Sequence, residues 1–362
     1  MAESVKIAVL GGDGVGPEVT KEALKVLIAA GERFGFSVDA EEALVGAAAV
    51  GAGKQPLPDE TLNLCLASDA ILFGAVGDPR YGDLPPDQLP ERALLYLRKG
   101  LDLYANLRPV KPIPALSAAS SLKPEVLEGV DILVVRELVS GIYFGEPRGY
   151  GDDERGRYGF NTMRYHECEV QRIGKVAFEA AQRRSKKLCS ADKANALEVM
   201  QLWRETMKAM AGDYADVALT HQYADNCAMQ LVANPKQFDV IVAGNLFGDV
   251  LSDIGAQLTG SLGMLPSASL GGKVGLFEPV HGSAPDIAGQ GIANPLAAIL
   301  SAAMLLEHGL GKRDAALAVE AAVDSVLAQG LRSRDLARQG ESGITIVNTE
   351  AMGDAVVSAL RA

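Results

Sequence analysis

The sequence predicts an α/β protein with a largely parallel sheet. Two observations carry that expectation. Short apolar runs alternate with helical patterns along the whole chain, and no internal repeat or low-complexity linker interrupts them. The chain has 362 residues, 48% hydrophobic and 22% charged, which is ample for a large core in one or two closely coupled domains.

Lys6-Ile-Ala-Val-Leu10 reads as a buried strand. Pro17 to Phe34 reads as a helix, with Val19, Ala23, Val26, Leu27 and Ala30 at helical spacing and Pro17 at a first helical position. Residues 69–74, 131–136, 215–220 and 238–243 are further strands, and helical patterns run over 168–185, 193–211, 247–258, 293–308, 314–328 and 350–361. Tyr143 to Arg164 is rich in Gly, Asp and Arg and reads as an exposed arm or hairpin.

A net charge of −12 without a basic tract argues against a nucleic-acid surface. No apolar run approaches the ~20 residues of a membrane span. Met1-Ala-Glu-Ser-Val-Lys6 runs straight into a strand, so no signal or transit peptide is expected. Cys65, Cys168, Cys189 and Cys227 lack metal spacing, which points to free thiols in a reducing cytoplasm.

Gly11-Gly-Asp-Gly14-Val-Gly16-Pro17 follows the first strand but fails the G-x-G-x-x-G spacing, because Pro17 stands at the third glycine position. No Gly-Lys-Ser/Thr follows, so a Walker A loop is absent too. The glycines read as a tight strand-to-helix turn. A denser signal is Gly244-Asn-Leu-Phe-Gly-Asp249-Val-Leu-Ser-Asp253. On a helix, Asp249 and Asp253 share one face. Alone they read as a solvated acidic face. The buried strand before them, and their position beyond its carboxyl end, favour an oxygen-only site for Mg²⁺ or Mn²⁺. Asp225, directly after another strand, is the natural third carboxylate.

Arg98 sits one helical turn beyond Leu94 and Leu95, Arg108 at a chain bend before Pro109, and Arg136 at a strand end. Singly, each reads as a surface ion pair. Converging with a divalent cation, they suit a small anion carrying more than one carboxylate. Tyr143 and Lys193 can exchange protons with a substrate if burial and a cation lower their pKa values, although alone they read as a packed tyrosine and a surface lysine. Asp192 is placed to cap the helix after Lys193. The small residues of His281-Gly-Ser-Ala-Pro-Asp286-Ile-Ala-Gly-Gln-Gly-Ile-Ala-Asn294 admit a planar ligand and a phosphate, and Asp286 suits a ribose diol while repelling a 2′-phosphate.

Together these segments resemble the decarboxylating β-hydroxyacid dehydrogenases, which act on isopropylmalate, isocitrate, homoisocitrate and tartrate or D-malate. The resemblance covers nearly the whole chain, and the segments at 244–253 and 281–289 are its most specific parts. Glu91-Arg-Ala-Leu-Leu-Tyr-Leu-Arg-Lys99 and residues 84–92 most resemble the isopropylmalate branch. The resemblance implies two interleaved α/β domains rather than a standard Rossmann fold. Residues 1–103 with 260–362 would bind cofactor. Residues 104–259 would bind substrate and metal and form a homodimer, with the arm at about 140–164 reaching across.

It further implies NAD-dependent oxidative decarboxylation of (2R,3S)-3-isopropylmalate to 4-methyl-2-oxopentanoate, CO2 and NADH, in leucine biosynthesis. Arg98, Arg108 and Arg136 would hold the carboxylates, and Leu94 and Leu95 the isopropyl group. Tyr143 and Lys193 would be the acid–base pair. Asp225, Asp249 and Asp253 would bind Mg²⁺ or Mn²⁺, Asp225 also meeting substrate, with Asp225 and Lys193 supplied by the partner subunit. Gly77 and Glu91 would lie near the nicotinamide. Glu278, His281, Gly282, Ser283, Ala284, Pro285, Asp286, Ile287 and Asn294 would hold the rest of NAD. The alternatives are D-malate/tartrate oxidation, homoisocitrate oxidation (Tyr104-Ala-Asn106 is also common there), or a regulatory subunit. The last usually loses site residues that are all present here.

Overall fold

A computed structural model describes residues 3–338 and 341–362, with the backbone alone at Ala118. Strand β1 (Glu3–Gly12) leads into α1 (Gly16–Phe34). Pro17 occupies the first turn of α1, where a missing N–H costs nothing. Gly35 ends the helix at φ 80°, its N–H donating to the Gly31 carbonyl at 2.9 Å. Next come β2 (Phe36–Glu42), α2 (Ala47–Gly51), α3 (Asp59–Leu66), β3 (Ala70–Ala75) and α4 (Arg92–Gly100). Then follow β4 (Ala105–Val110), α5 (Pro124–Leu127) and β5 (Ile132–Glu137). The segment read as an arm is an exposed antiparallel hairpin, β6 (Gly149–Asp153) and β7 (Gly156–Phe160). After it come α6 (Glu167–Gln182), β8 (Lys187–Asp192), α7 (Glu198–Met210), β9 (Ala218–Tyr223), α8 (Ala224–Ala233), β10 (Val240–Ala243) and α9 (Asn245–Thr259). The chain continues through β11 (Pro266–Leu270), β12 (Gly275–Pro279), α10 (Leu296–Met304), α11 (Arg313–Ala328) and α12 (Thr349–Arg361).

Two compact units divide these elements. The first holds Met1–Leu103, Pro112–Ser121 and Thr259–Ala362; the second holds Tyr104–Lys111 and Leu122–Leu258. In the first, strands run in the order β2-β1-β3-β12-β11, parallel except for the β11/β12 pair. Ala8, Leu10, Ile71, Phe73 and Leu276 face α3 and α4 in one buried cluster with Cys65, Ala93 and Leu97. Helices α1, α10, α11 and α12 pack with one another, α1 against β1 and β3 and α10 against β11 and β12. In the second unit the order is β4-β5-β10-β8-β9, antiparallel at β4/β5 and parallel beyond. Val134, Cys189, Ala191, Ile241 and Ala243 pack against Cys227 and Leu231 of α8 and Leu251 and Leu258 of α9. Helix α6 packs on β5, β8 and β10, and α7 on β8. The four thiols are free. No helix among the described residues is long and apolar enough to cross a membrane.

Two local expectations fail. Arg108 is not at a bend but inside β4, where Pro109 keeps its register opposite Leu133, because the proline φ is compatible with an extended chain. Helix α7 starts at Glu198, not beside Lys193, and Asp192 does not cap it. Its carboxylate is committed to the Ala194 N–H at 3.0 Å and to Arg204 at 2.8 and 2.9 Å.

Leu97 lies fully buried in the first unit's core. Leu97→Ala is expected to cost about 2–5 kcal/mol, read as a lower urea midpoint by far-ultraviolet circular dichroism. An unchanged midpoint would remove Leu97 from the core that carries Arg98.

Candidate active site

In the second unit Asn106 stands opposite Arg136 across the β4/β5 ladder, and Arg108 opposite Val134. Opposed residues share a face, so one sheet face presents Asn106, Arg108 and Arg136 together. Both guanidiniums are buried, at 6% and 3% exposure. They converge on α9. Arg136 Nη1 donates to Asp249 Oδ1, and its Nε and Nη2 donate to Asn245 Oδ1 at 3.1 and 2.8 Å. Arg108 Nη1 reaches Asp249 Oδ1 at 3.3 Å, Ser252 Oγ at 2.7 Å and Asp253 Oδ1 at 3.5 Å, while its Nε donates to Asn106 Oδ1 at 2.7 Å. The Tyr143 hydroxyl donates to Asp249 Oδ2 at 3.2 Å, with Arg136 over its ring at 5.8 Å. Burial, and then the Asp249 charge, push the Tyr143 phenol upward. Burial and the neighbouring Asp249 raise the Asp253 carboxyl.

The polar residues that aim this cluster, Asn106, Asn245, Ser252, Glu137 and Tyr165, escaped the sequence reading. Asn245 Nδ2 donates to the Leu138 and Ser140 carbonyls at 2.9 and 3.2 Å, and its N–H donates to the Tyr165 hydroxyl at 2.7 Å. Burial and then the Glu137 charge push the Tyr165 phenol well up. Glu137 is fully buried, accepts from the Val139 and Ser140 N–H groups at 3.0 Å each, and lies 3.8 Å from Arg172. Burial pushes its carboxyl up to about 7. An Asn at a strand-to-helix turn was the one legible signal.

Lys193 and Asp225 form a separate pair in the same unit, with Nζ to Oδ2 at 2.8 Å, and this bond lowers the Asp225 carboxyl. Arg204 lies over the Tyr223 ring at 4.8 Å and Lys193 over it at 6.0 Å. Among the described residues no three His, Cys, Asp or Glu side chains gather as a metal site, so Asp225 does not join Asp249 and Asp253 within the chain. Those two still fit a hard cation. They are oxygen donors one helical turn apart, and their mutual repulsion is visible at Asp253.

In the first unit, Arg98 Nη2 pairs with Glu278 Oε1 at 2.9 Å, both side chains buried. The Arg98 Nε is buried without a partner among the described residues. Leu94 and Leu95 are half-buried, Leu94 against the core. Glu91 lies beside Gly77, where a Cβ would come within 2.9 Å of its Oε1. In the segment from His281 to Asn294, His281 Nδ1 meets the Gly282 carbonyl at 2.9 Å, while its Nε2 is buried and unpartnered among the described residues. Burial lowers the imidazole's pKa. Gly282, Gly289 and Gly291 border open space, Ala284 takes φ 39°, and Pro285 and Asp286 are exposed. Ser283 and Asn294 are buried, with Ile287 half-buried. An orphaned ring nitrogen beside an open, small-residue loop fits a nucleotide.

Buried guanidiniums on two adjacent strands thus meet two carboxylates of one helix and a tyrosine in a single cluster. The chain matches the family model described as isocitrate/isopropylmalate dehydrogenase over residues 6–356. It is 59% identical to a 3-isopropylmalate dehydrogenase of Gloeobacter violaceus over 361 residues, 99% of each chain. It is 57% identical to one from Synechococcus elongatus, over 99% of this chain and 98% of that one. It is similar in structure to the crystal structure of isocitrate dehydrogenase from Methylococcus capsulatus, at TM-score 0.87 and 35% identity, over 99% of this chain and 100% of that one. The chain belongs to the isocitrate/isopropylmalate dehydrogenase family, and its α/β fold, with two interleaved units, is of that family's type rather than a standard Rossmann fold.

A carboxyl raised by the fold adds stability that is complete below its unfolded pKa, about 4.3, and is lost as pH rises through its folded value. For Glu137 the loss falls between about 4.3 and about 7. Glu137→Gln is therefore expected to gain on wild type between pH 5 and pH 8 in urea midpoint. Parallel pH profiles would show that Glu137 is not held protonated.

Proposed function

We infer that the chain catalyses NAD-dependent oxidative decarboxylation of 3-isopropylmalate to 4-methyl-2-oxopentanoate; relatives that share more than half its residues are named 3-isopropylmalate dehydrogenases. The observation that carries the reading is Asp249, met by Arg108, Arg136 and Tyr143 on one helix of a chain in this family. Asp249 and Asp253, with Asp225 from a second copy of the chain, would hold Mg²⁺ or Mn²⁺, which would supply Lewis acidity, and NAD⁺ would accept the hydride. Arg108 and Arg136, oriented by Asn106 and Asn245, bind substrate carboxylates, and the family resemblance adds Arg98, whose Nε has no partner among the described residues. Leu94 and Leu95 cover the isopropyl group.

Lys193, through water and the Asp225 carboxylate to which its Nζ donates at 2.8 Å, removes the C2 hydroxyl proton. Tyr143, a phenol protonated at neutral pH, gives a proton to the carbon that has lost CO2. Gly77 and Glu91 border the nicotinamide, and residues from Glu278 to Asn294 the adenosine. A second copy of the chain supplies Lys193 and Asp225 to each site.

Assays following NADH absorbance test this reading. Activity is expected to vanish in excess chelator and return with Mg²⁺ or Mn²⁺. NAD⁺ is expected to exceed NADP⁺ in kcat/KM, because the Asp286 charge opposes a 2′-phosphate; equal values would remove Asp286 from the ribose. Isopropylmalate should beat D-malate by roughly tenfold or more, as burying an isopropyl group allows, and Leu94→Ser should narrow that gap. A preference for D-malate would overturn the substrate assignment.

The shared site is tested by complementation. Lys193→Ala and Tyr143→Phe homodimers should each be nearly inactive. Random mixed dimers place both lesions in one site and leave the other intact, so about a quarter of wild-type activity should return. No recovery despite mixed dimers seen by mass spectrometry would put both residues in one subunit's site.

A further inference from the structure

The glycine-rich turn between β1 and α1 has the sequence position of a dinucleotide-binding loop but uses its backbone differently. A phosphate-binding turn leaves N–H groups open to the ligand. Here three of them are taken: Asp13 N–H donates to the Ala75 carbonyl at 2.7 Å, Val15 N–H to the Ser283 carbonyl at 2.8 Å and Gly16 N–H to the Asp13 carbonyl at 2.9 Å. The turn's carboxylates act as internal anions. The buried Asp13 accepts from the N–H groups of Ala47 at 2.8 Å, Ala48 at 2.9 Å and Gly77 at 2.8 Å. Glu18, in the first turn of α1, accepts from Gly289 N–H with Oε1 and from Gly291 N–H with Oε2 at 3.1 Å. Gly14 allows the closest approach; it has φ 59°, and a Cβ there would fall 1.9 Å from the Ser283 carbonyl oxygen. One turn thus fastens three other segments of the same unit.

We propose that Asp13 and Glu18 are positioning residues for the dinucleotide, holding the Gly77 and Ser283–Gly291 backbones in the form that receives it. The proposal rests on the reading of the segment ending at Asn294 as the adenosine loop. Glu18 clamps that loop beyond Asp286, at two glycines with φ 75° and 65°. A loop built on such residues is costly to order at the moment of binding, and two charge-assisted bonds order it beforehand.

The test uses the full-length enzyme and NADH. Fluorescence titration gives its Kd, and amide hydrogen exchange reports residues 284–292. Glu18→Gln replaces one accepting oxygen by a donor. It is expected to raise the Kd for NADH and the KM for NAD⁺ roughly tenfold, the equivalent of one lost bond to a charged group. kcat at saturating NAD⁺ should stay within about twofold, since the lesion acts on binding alone. Exchange at 284–292 should quicken in the free variant. Asp13→Asn should weaken NADH binding too, with faster exchange at Ala47, Ala48 and Gly77. If NADH fails to protect 284–292 in wild type, the adenosine-loop reading falls and takes the proposal with it. If it protects them but Glu18→Gln leaves the Kd unchanged, whether or not exchange quickens, the loop reading stands and the positioning role is overturned.

Discussion

The second unit turns on one charge arrangement: a single oxygen of Asp249 facing the buried guanidiniums of Arg108 and Arg136. Two cations on adjacent strands, both nearly free of solvent, repel each other and have lost their hydration. Removing the partner of such a buried ion typically costs about 3–5 kcal/mol. Asp249 and Asp253 together balance the two arginines in formal charge. On the proposed reading, a substrate dianion arriving with a divalent cation would leave that balance unchanged, so the site would fill without stranding a charge. Asn106, Asn245 and Ser252 accept further guanidinium N–H bonds, which orients each arginine before any ligand is present.

Much of this was legible in the chain. The strand before Gly244, the helix after it and the four-residue spacing of Asp249 and Asp253 predicted both the element boundary and the shared face, and Pro17 marked the start of α1. What stayed hidden depended on distant pairing. Nothing local to Arg98 announces Glu278, and nothing near Asp192 announces Arg204. Several strands lacked an apolar signature. In β11 the buried residues include Ser267 and Ser269, and β2 is mostly exposed. Pro109 suggested a bend because proline usually punctuates a chain, but an extended strand accepts its φ and loses one donor only. Tyr165 and Glu137 look like ordinary loop and strand residues until the fold brings them under Asn245.

The glycines of α9 show how backbone packing sets that chemistry. A Cβ on Gly248 would sit 2.8 Å from Cβ and Cγ of Arg136, and one on Gly255 would sit 2.8 Å from Val110 Cγ2. These positions are seven residues apart, two helical turns, so they lie on one face of α9, the face that meets β4 and β5. Each glycine costs the helix about 1 kcal/mol relative to alanine, and the cost is offset by close approach. With bulkier residues there, the helix would stand farther from the strands, and Asp249 would lose its reach to both guanidiniums at once. Gly244 serves the same end at the entry to the helix, where a Cβ would come within 2.9 Å of the Tyr165 hydroxyl that fixes the Asn245 N–H. The acidic pair is placed by what the helix omits on one face as much as by what it carries on another.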